Sequence, residues 1–225
     1  FESQWMRAGY DAVRIAVDDV RFDDADPVAV FSGRVLARGE AIGAATLRFR
    51  PTNAGALITQ FTIDLRDAPE DVPRVGLRWT VPADHADWTW LGDGPHETYI
   101  DRRESARLGV HTATVDSAAF PYVMPQDYGN RERVHWAQLS APGKGAVRFV
   151  FNEPSAFAAT AYSTHQLAQA VNIAAIQPGP RIEVFTAAMG QAVCGLGGGS
   201  CGPNTLETYR VKPGVFNGFV AVAPR

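Results

Sequence analysis

The chain has 225 residues, of which 46% are hydrophobic and 20% charged, and its formal net charge is -3. Such a composition is typical of a globular protein, and a chain this long buries enough surface to fold without a metal ion or a disulfide. The basic residues form no run or stripe, so nucleic acid is not expected as a partner. No apolar run approaches the roughly 18 residues of a membrane span.

The N-terminus has no initiator Met and no signal-peptide character. We therefore interpret Phe1 as a cut inside a longer protein, and residues 1–225 as a single domain, an N-terminally truncated fragment of a larger enzyme. The two cysteines, Cys194 and Cys201, do not make a disulfide framework, although a bridge between them is sterically open. A reducing compartment, the cytoplasm, fits this cysteine content.

Short apolar or alternating runs, separated by proline and glycine, dominate the chain. In residues 56–65, Leu57, Phe61 and Ile63 share one face and Gln60 lies on the other, the pattern of a strand with one wet face. The runs expected to form strands are residues 11–22, 28–36, 44–50, 56–65, 75–81, 134–139, 147–151, 182–185 and 215–222. Their spacing predicts roughly 15–18 strands and hence an all-β fold, one large antiparallel two-sheet sandwich.

Helix signals are few. Residues 164–171 predict two turns at most, with Thr164 as the cap, and residues 3–8 predict one further turn. The acidic runs 18–26 and 64–71 are interpreted as solvated hairpin tips.

Residues 88–103 mix aromatic, glycine and charged residues without a strand period. Residues 92–95, Gly-Asp-Gly-Pro, predict a tight turn, because glycine supplies positive φ and proline restricts the backbone beside it. The segment ends with five charged or titratable side chains: His96, Glu97, Asp101, Arg102 and Arg103. They could form a catalytic cluster or a network that pins a loop, and the second interpretation is favoured because ion-pair networks mimic active sites.

Residues 120–136 form a second loop-rich segment, in which Pro121 and Pro125 enforce an extended or turning chain. Its polar and aromatic side chains are of types that grip sugars, and also of types that satisfy loop backbone, which is the favoured interpretation. These side chains are Gln126, Asn130, Arg131, His135 and Trp136. Trp136, like Trp90 and Tyr99, is expected to be structural, with Trp90 and Tyr99 buried.

Residues 194–204 form a glycine-rich loop, but no Lys-Ser or Lys-Thr comes after it, so a nucleotide loop is not expected. A loop that approaches a ligand or another domain closely is favoured. The five histidines are dispersed without metal-ligand spacing, and no nucleophile elbow is present. No metal site is therefore predicted in this chain.

Four motifs in one order resemble the C-terminal domain (domain 5, small-chain type) of bacterial β-galactosidases of glycoside hydrolase family 2. Residues 90–102, WLGDGPHETYIDR, resemble the signature LGxGPxExYxDR. Residues 121–126, 129–131 and 134–136 resemble the next signature. Residues 157–158 and 162–167 resemble the next strand and short helix, and residues 195–203 the last loop. The likeness runs from about residue 88 to the C-terminus.

This resemblance implies a super-sandwich similar in fold to galactose mutarotase, with one or two short helices. In the full enzyme the domain comes after a TIM barrel that supplies both catalytic glutamates. No catalytic residue is therefore expected here, and Glu97, Glu104 and Glu132 are not expected to be the catalytic pair. The residues expected to organise the loops are Trp90, Gly92, Gly94, Pro95, Glu97, Tyr99, Asp101, Arg102, Pro125, Gln126, Asn130, Arg131 and Trp136.

The resemblance also implies that one loop reaches the aglycone side of the barrel's active site. Ser200, Cys201 and Gly202 fall in that loop, with Cys201 where the best-known members have a Trp that stacks on the aglycone sugar. The implied partners are a β-galactoside, the barrel and further copies in a homo-oligomer. The Mg and Na ions of full-length enzymes bind mainly outside this domain, so no cofactor is expected in this chain.

Two alternatives stay open at the level of the residues. One is an autonomous carbohydrate-binding or aldose epimerase-like module, although the His and Glu that mutarotases use match no motif here. The other is a domain that serves only in assembly.

Overall fold

The computed structural model describes residues 2–23, 26–120, 122–190 and 205–225. In these ranges the chain forms eleven strands and two short α-helices. In chain order they are α1 (Glu2–Arg7), β1 (Val13–Asp23), β2 (Val28–Ala37), β3 (Glu40–Pro51), β4 (Leu57–Asp64), β5 (Arg74–Pro82), β6 (Asp87–Gly94), β7 (Arg107–Thr114), β8 (Arg131–Ala141), β9 (Gly145–Thr160), α2 (Thr164–Gln169), β10 (Arg181–Gly190) and β11 (Val215–Pro224). None of the described helices is long and apolar enough to cross a membrane.

The strands pair antiparallel along the path β1-β2-β3-β4-β11-β9-β8-β6-β7. A side arm leaves this path at β9, where β10 pairs with β9 and β5 pairs with β10. The long strand β9 makes the branch: residues 147–150 pair with β11, and residues 156–160 pair with β10. Between these two stretches, residues 151–155 have no register partner from β10 or β11.

The side arm covers one face of the main path, and two apolar cores lie beneath it. The larger core joins β5, β6, β8, β9 and β10 around the buried rings of Trp88, Trp90 and Phe157. The smaller core joins β2, β3 and β4 to the start of β5 through Phe61 and Val75. The predicted all-β antiparallel sandwich with short helices is therefore confirmed.

Several details differ from the sequence prediction. Eleven strands occur in the described ranges instead of 15–18, because the strands are long, from 8 to 16 residues. The strands β6 and β7 were not predicted. Residues 18–23 continue β1 instead of forming a hairpin tip. The cap of α2 is Ser163, whose Oγ accepts from the Gln166 N–H in a capping box, and not Thr164.

Residues 92–94 also correct the sequence prediction, since they do not form a tight turn. Gly92 and Gly94 are among the last residues of β6, paired with Gly109 and Arg107 of β7. A Cβ at Gly92 would lie 2.8 Å from Val134 Cγ2, and one at Gly94 would lie 2.6 Å from the His111 ring. These glycines are therefore required by close packing and not by a turn.

Candidate functional site

The two loop-rich segments predicted from the sequence pack against each other at one end of β6 and β8. The Thr98 N–H donates to Asn130 O (2.8 Å), and Asn130 Nδ2 donates back to Thr98 O (2.9 Å). The Glu132 N–H donates to Thr98 Oγ1 (2.8 Å). Residues more than 30 positions apart thus join into one polar centre, and we call the set of Asp93, Glu97, Thr98 and residues 130–133 the loop centre.

Glu97 is the hub of the loop centre, with a side chain only 12% exposed. Its Oε1 accepts from Arg102 Nη2 (2.6 Å) and from the Tyr122 hydroxyl (2.7 Å). Its Oε2 accepts from the Gly129 N–H (2.8 Å) and, more weakly, from the Tyr99 hydroxyl (3.4 Å). With both oxygens engaged, the carboxylate holds two loops together.

Arg131 is a buried cation beside the hub. Its guanidinium carbon lies 5.2 Å from the ring centroid of Trp88 and 5.0 Å from that of Trp90. Its Nη1 donates to the carbonyl oxygens of Gly129 and Asn130. Burial lowers the pKa of Arg131 to about 10, opposed chiefly by the negative charge of Glu97, so the side chain stays charged at neutral pH.

Glu132, the next residue, is a buried acid, 8% exposed. Burial raises its pKa to about 7, and the bond donated by Asn130 Nδ2 to Glu132 Oε1 (2.8 Å) opposes that rise. The charges of Asp93 and Asp101 raise the pKa further, whereas that of Arg103 lowers it. Sequence reasoning did not place Glu132 in the loop centre, because nothing in its neighbours predicts burial.

The remaining predicted residues lie around this centre in varied settings. Trp90 is fully buried and donates from Nε1 to Asp93 O (2.9 Å), and Tyr99 is 5% exposed, so both predictions of burial are confirmed. Pro125 is buried, Gln126 and Asn130 are half-buried, and Pro95 and Arg102 are exposed. Trp136 is half-buried under the guanidinium of Arg148, 4.1 Å from its carbon to the ring centroid.

Two other members of the charged cluster predicted in residues 96–103 make fewer hydrogen bonds than Glu97. His96 is exposed, and its Nε2 contacts Ser105 Oγ (2.8 Å). Asp101 is half-buried, and its Oδ1 has no hydrogen-bond partner within the described ranges. In those same ranges, no group of three or more His, Cys, Asp or Glu side chains converges to hold a metal ion.

The glycine-rich loop lies outside the part of the chain that the structure describes. The predictions made for Ser200, Cys201 and Gly202 therefore stay predictions. The same holds for Cys194 and for Pro121.

The chain is similar to the same family that the order of the sequence motifs indicated. Residues 2–219 match the family model described as the β-galactosidase small chain. A β-galactosidase of Kluyveromyces lactis is 30% identical over 152 residues, which cover 66% of this chain and 14% of the yeast protein. One of Actinobacillus pleuropneumoniae is 24% identical over 218 residues, which cover 94% of this chain and 21% of that protein.

A solved structure of a putative aldose 1-epimerase from Escherichia coli K12 covers 92% of this chain and 68% of its own, at 9% identity and a TM-score of 0.43. The β-galactosidase BgaC of Bifidobacterium adolescentis is 36% identical over 104 residues. The chain spans between a tenth and about a fifth of the length of these three curated relatives. Because the family model covers nearly the whole sequence, the chain belongs to the β-galactosidase small-chain family.

Proposed function

We propose that this chain is a non-catalytic domain of a β-galactosidase, which supports the assembly of an enzyme that hydrolyses terminal β-D-galactosides. The single observation that supports this most is that both oxygens of the Glu97 carboxylate are engaged in hydrogen bonds within the domain. Retaining and inverting glycosidases need two carboxyl groups that face a sugar across its glycosidic bond. Glu97 instead accepts four hydrogen bonds from its own domain, and Glu132 is buried.

An exposed apolar patch supports the assembly role. Four large side chains in two neighbouring segments are more than half exposed: Phe120 (55%), Val123 (80%), Met124 (73%) and Val171 (80%). The Ile173 N–H donates to Val123 O (3.1 Å), which holds the second segment beside the first. Exposed apolar groups of this kind mark interaction surfaces.

We assign the catalytic part of the same β-galactosidase as the occupant of this patch. The curated relatives are between about five and ten times longer than the region they share with this chain, so the partner would be polypeptide of the same enzyme. A TIM barrel with the two catalytic glutamates, as the motif resemblance implies, fits this role. Contact within a homo-oligomer is a further use of such a surface.

The finer proposal concerns the loop around Cys201, and it rests on the sequence resemblance alone. Ser200, Cys201 and Gly202 would border the aglycone side of the barrel's active site. A Cys201→Trp exchange in an active enzyme that contains this domain should then lower the KM for a disaccharide by restoring a stacking surface, and leave the KM for a galactoside with a small non-sugar aglycone unchanged. Equal changes for both substrates, or none, would contradict this placement.

The main proposal is tested by offering the purified chain o-nitrophenyl β-galactoside at neutral pH. We expect no turnover above the uncatalysed rate, with or without added Mg²⁺. A Glu97→Gln variant is measured beside it, with circular dichroism to establish that it is folded. Any turnover by the wild-type chain would overturn the proposal, and turnover lost in a variant that stays folded would place the chemistry at Glu97.

A further inference from the structure

A cleft opens on the outer face of the sheet, lined by residues other than those of the loop centre. It has a volume of about 470 Å³, within the range of small-molecule sites, and its walls come from β3, β4, β9, β10 and β11. Its origin is the branch at β9, because residues 151–155 are left between the strand partners β11 and β10. The fold thus builds a crevice where one sheet divides into two arms.

Four charged or amide side chains of this cleft are available for a ligand. Arg48, Gln60, Asn152 and Glu153 are exposed, and their side chains make no hydrogen bond or ion pair within the described ranges. Asn217 Oδ1 accepts from the Thr62 hydroxyl (2.7 Å), which leaves the Asn217 amide N–H groups to donate outward. Amide, guanidinium and carboxylate groups side by side offer paired donors and acceptors.

The strand register brings Arg48, Gln60 and Phe219 into one row across β3, β4 and β11. Arg48 of β3 lies opposite Gln60 of β4, and Gln60 lies opposite Phe219 of β11. Phe219, a half-buried aromatic residue, lines the same cleft. An apolar ring between hydrogen-bonding side chains suits a ligand that has both an apolar face and an edge of hydroxyl groups.

A second cleft of about 440 Å³ continues from the first. Both clefts share Arg48 and Gln60, and the second one extends over β2 to Phe22 at the end of β1. We call the two clefts together the groove. From β1 to β9 the path crosses five strand spacings of about 4.8 Å, so the groove is roughly 20–25 Å long. This length fits several linked rings better than a single one.

The charges of the groove indicate a neutral ligand. Arg21 is paired with Asp19 (2.6 Å), and Arg50 is paired with Asp26 (2.6 Å). Among the described residues that line the groove, the unpaired charges are then one cation, Arg48, and one anion, Glu153. With these two charges in balance, the groove has no general attraction for an anionic polymer.

A peptide strand added to the free edge of β9 fits this crevice less well. Pro154 lies in the unpaired stretch and has no N–H to donate, and β8 shows register shifts opposite the same stretch. An irregular edge that contains proline is a poor template for a β-ladder. The geometry therefore favours recognition by side chains over recognition by backbone.

We propose that this groove is a binding site for a neutral oligosaccharide. Arg48, Gln60, Asn152 and Glu153 would hold hydroxyl groups, and Phe219 would contact a ring face. Since the groove needs no residue of the loop centre or the apolar patch, the proposal stands apart from the assembly role.

The test is calorimetric titration of the chain with three trisaccharides: β-1,4-galactotriose, cellotriose and the anionic trigalacturonate. We expect saturable binding of at least one neutral trisaccharide with a millimolar or lower Kd, and weaker binding of trigalacturonate. Gln60→Ala and Asn152→Ala should each weaken the neutral ligand by about tenfold, as loss of a direct hydrogen-bond partner does. The exposed Gln169→Ala on α2 is the matched control and should leave the Kd unchanged.

Circular dichroism of each variant establishes that the fold is intact, which is expected because the exchanged side chains are exposed. Absence of binding by both neutral trisaccharides would overturn the proposal. Tighter binding of trigalacturonate, or an unchanged Kd in both cleft variants, would do the same. None of these outcomes depends on galactoside hydrolysis, so they are distinct from a failure of the assembly role.

Discussion

Arg133 and Asp93 form an ion pair in which the Asp93 side chain is completely buried and the Arg133 side chain is 48% exposed. Arg133 Nε donates to both carboxylate oxygens, at 2.9 Å and 3.0 Å, and Nη2 makes a third contact. Arg133 has a φ of 52°, in the left-handed region, and lies where the register of β8 against β9 shifts. The pair thus ties the last residues of β6 to the first residues of β8.

Removing the cation should leave a buried carboxylate without its partner. We expect Arg133→Met to lower the free energy of unfolding by about 3 kcal/mol, because the desolvation of Asp93 is then uncompensated. The measurement is urea unfolding followed by tryptophan fluorescence. Adding Asp93→Asn should recover part of the loss, and Arg103→Met, at an exposed neighbouring position, should cost little. A loss below about 0.5 kcal/mol in Arg133→Met would show that the pair is not a tether.

Gly92 and its strand partner Gly109 provide a matched test of packing. A Cβ at Gly92 would meet Val134 at 2.8 Å, whereas one at Gly109 would lie 3.4 Å from the nearest atom, His111 Nε2. Gly92→Ala should therefore destabilise the fold by about 1–3 kcal/mol, and Gly109→Ala should be close to neutral. Thermal unfolding of the two variants gives the comparison, and equal stabilities would contradict the close approach of β6 and β8.

Glu132 predicts a specific dependence of stability on pH. Its pKa rises from an ordinary 4.5 to about 7 in the folded chain, so the folded state binds the proton more tightly. Well below pH 4.5 the residue is protonated in both states and has no effect on stability. As the pH rises toward 7 the unfolded chain ionises first, and the folded state loses up to about 3 kcal/mol relative to it, with no further loss at higher pH.

Glu132→Gln should remove this loss while its amide oxygen still accepts from Asn130. The variant should therefore exceed the wild type in stability at pH 8, by up to the same amount, and equal it near pH 4. Urea midpoints measured across this range give the result. Glu40→Gln, at an exposed position, is the control and should match the wild-type profile. A wild-type advantage at pH 8 would show that the Glu132 carboxylate is stabilised in its charged form.

Glu97 should behave as a structural acceptor. In Glu97→Gln one oxygen becomes an NH₂ group, which then faces donors such as the Gly129 N–H or Tyr122 hydroxyl. We expect a loss of about 2–4 kcal/mol in the free energy of unfolding, since buried donors lose their acceptor. The exposed Glu104→Gln is the control and should cost less than about 0.5 kcal/mol. A neutral Glu97→Gln would contradict the role of this carboxylate as a hub.

The alternation of apolar and polar residues predicted the antiparallel β-sheet because it reports directly on strands with one wet face. The same rule failed for β6, where burial alternates only over the first residues. Trp88 and Trp90 are completely buried and Thr89 between them is half-buried, but residues 92–94 are buried in succession. The glycines at positions 92 and 94 also imitate a turn, so the pattern was correct for half-buried strands and incomplete for this one.

The loop centre was only partly predictable. Motif order drew attention to Glu97, Asn130 and Arg131, but the burial of Glu132 and the pairing of Arg133 depend on contacts across about 34 to 40 positions. Glu132 is buried and the adjacent Arg133 is exposed, because the register of β8 against β9 shifts between Arg131 and Val134. The groove that runs from β1 to β9 was not predicted from the sequence, because its residues come from distant strands and no local pattern joins them.

The most direct measurement replaces the matching segment of the Actinobacillus pleuropneumoniae β-galactosidase with residues 2–219 of this chain. We expect the enzyme without its segment to be inactive and the chimera to hydrolyse o-nitrophenyl β-galactoside, with activity reduced by Val123→Asp and Met124→Asp but not by Gln169→Ala. A chimera that is soluble and folded by circular dichroism yet inactive would contradict an assembly role for this domain. So would a truncated enzyme that keeps full activity without the segment.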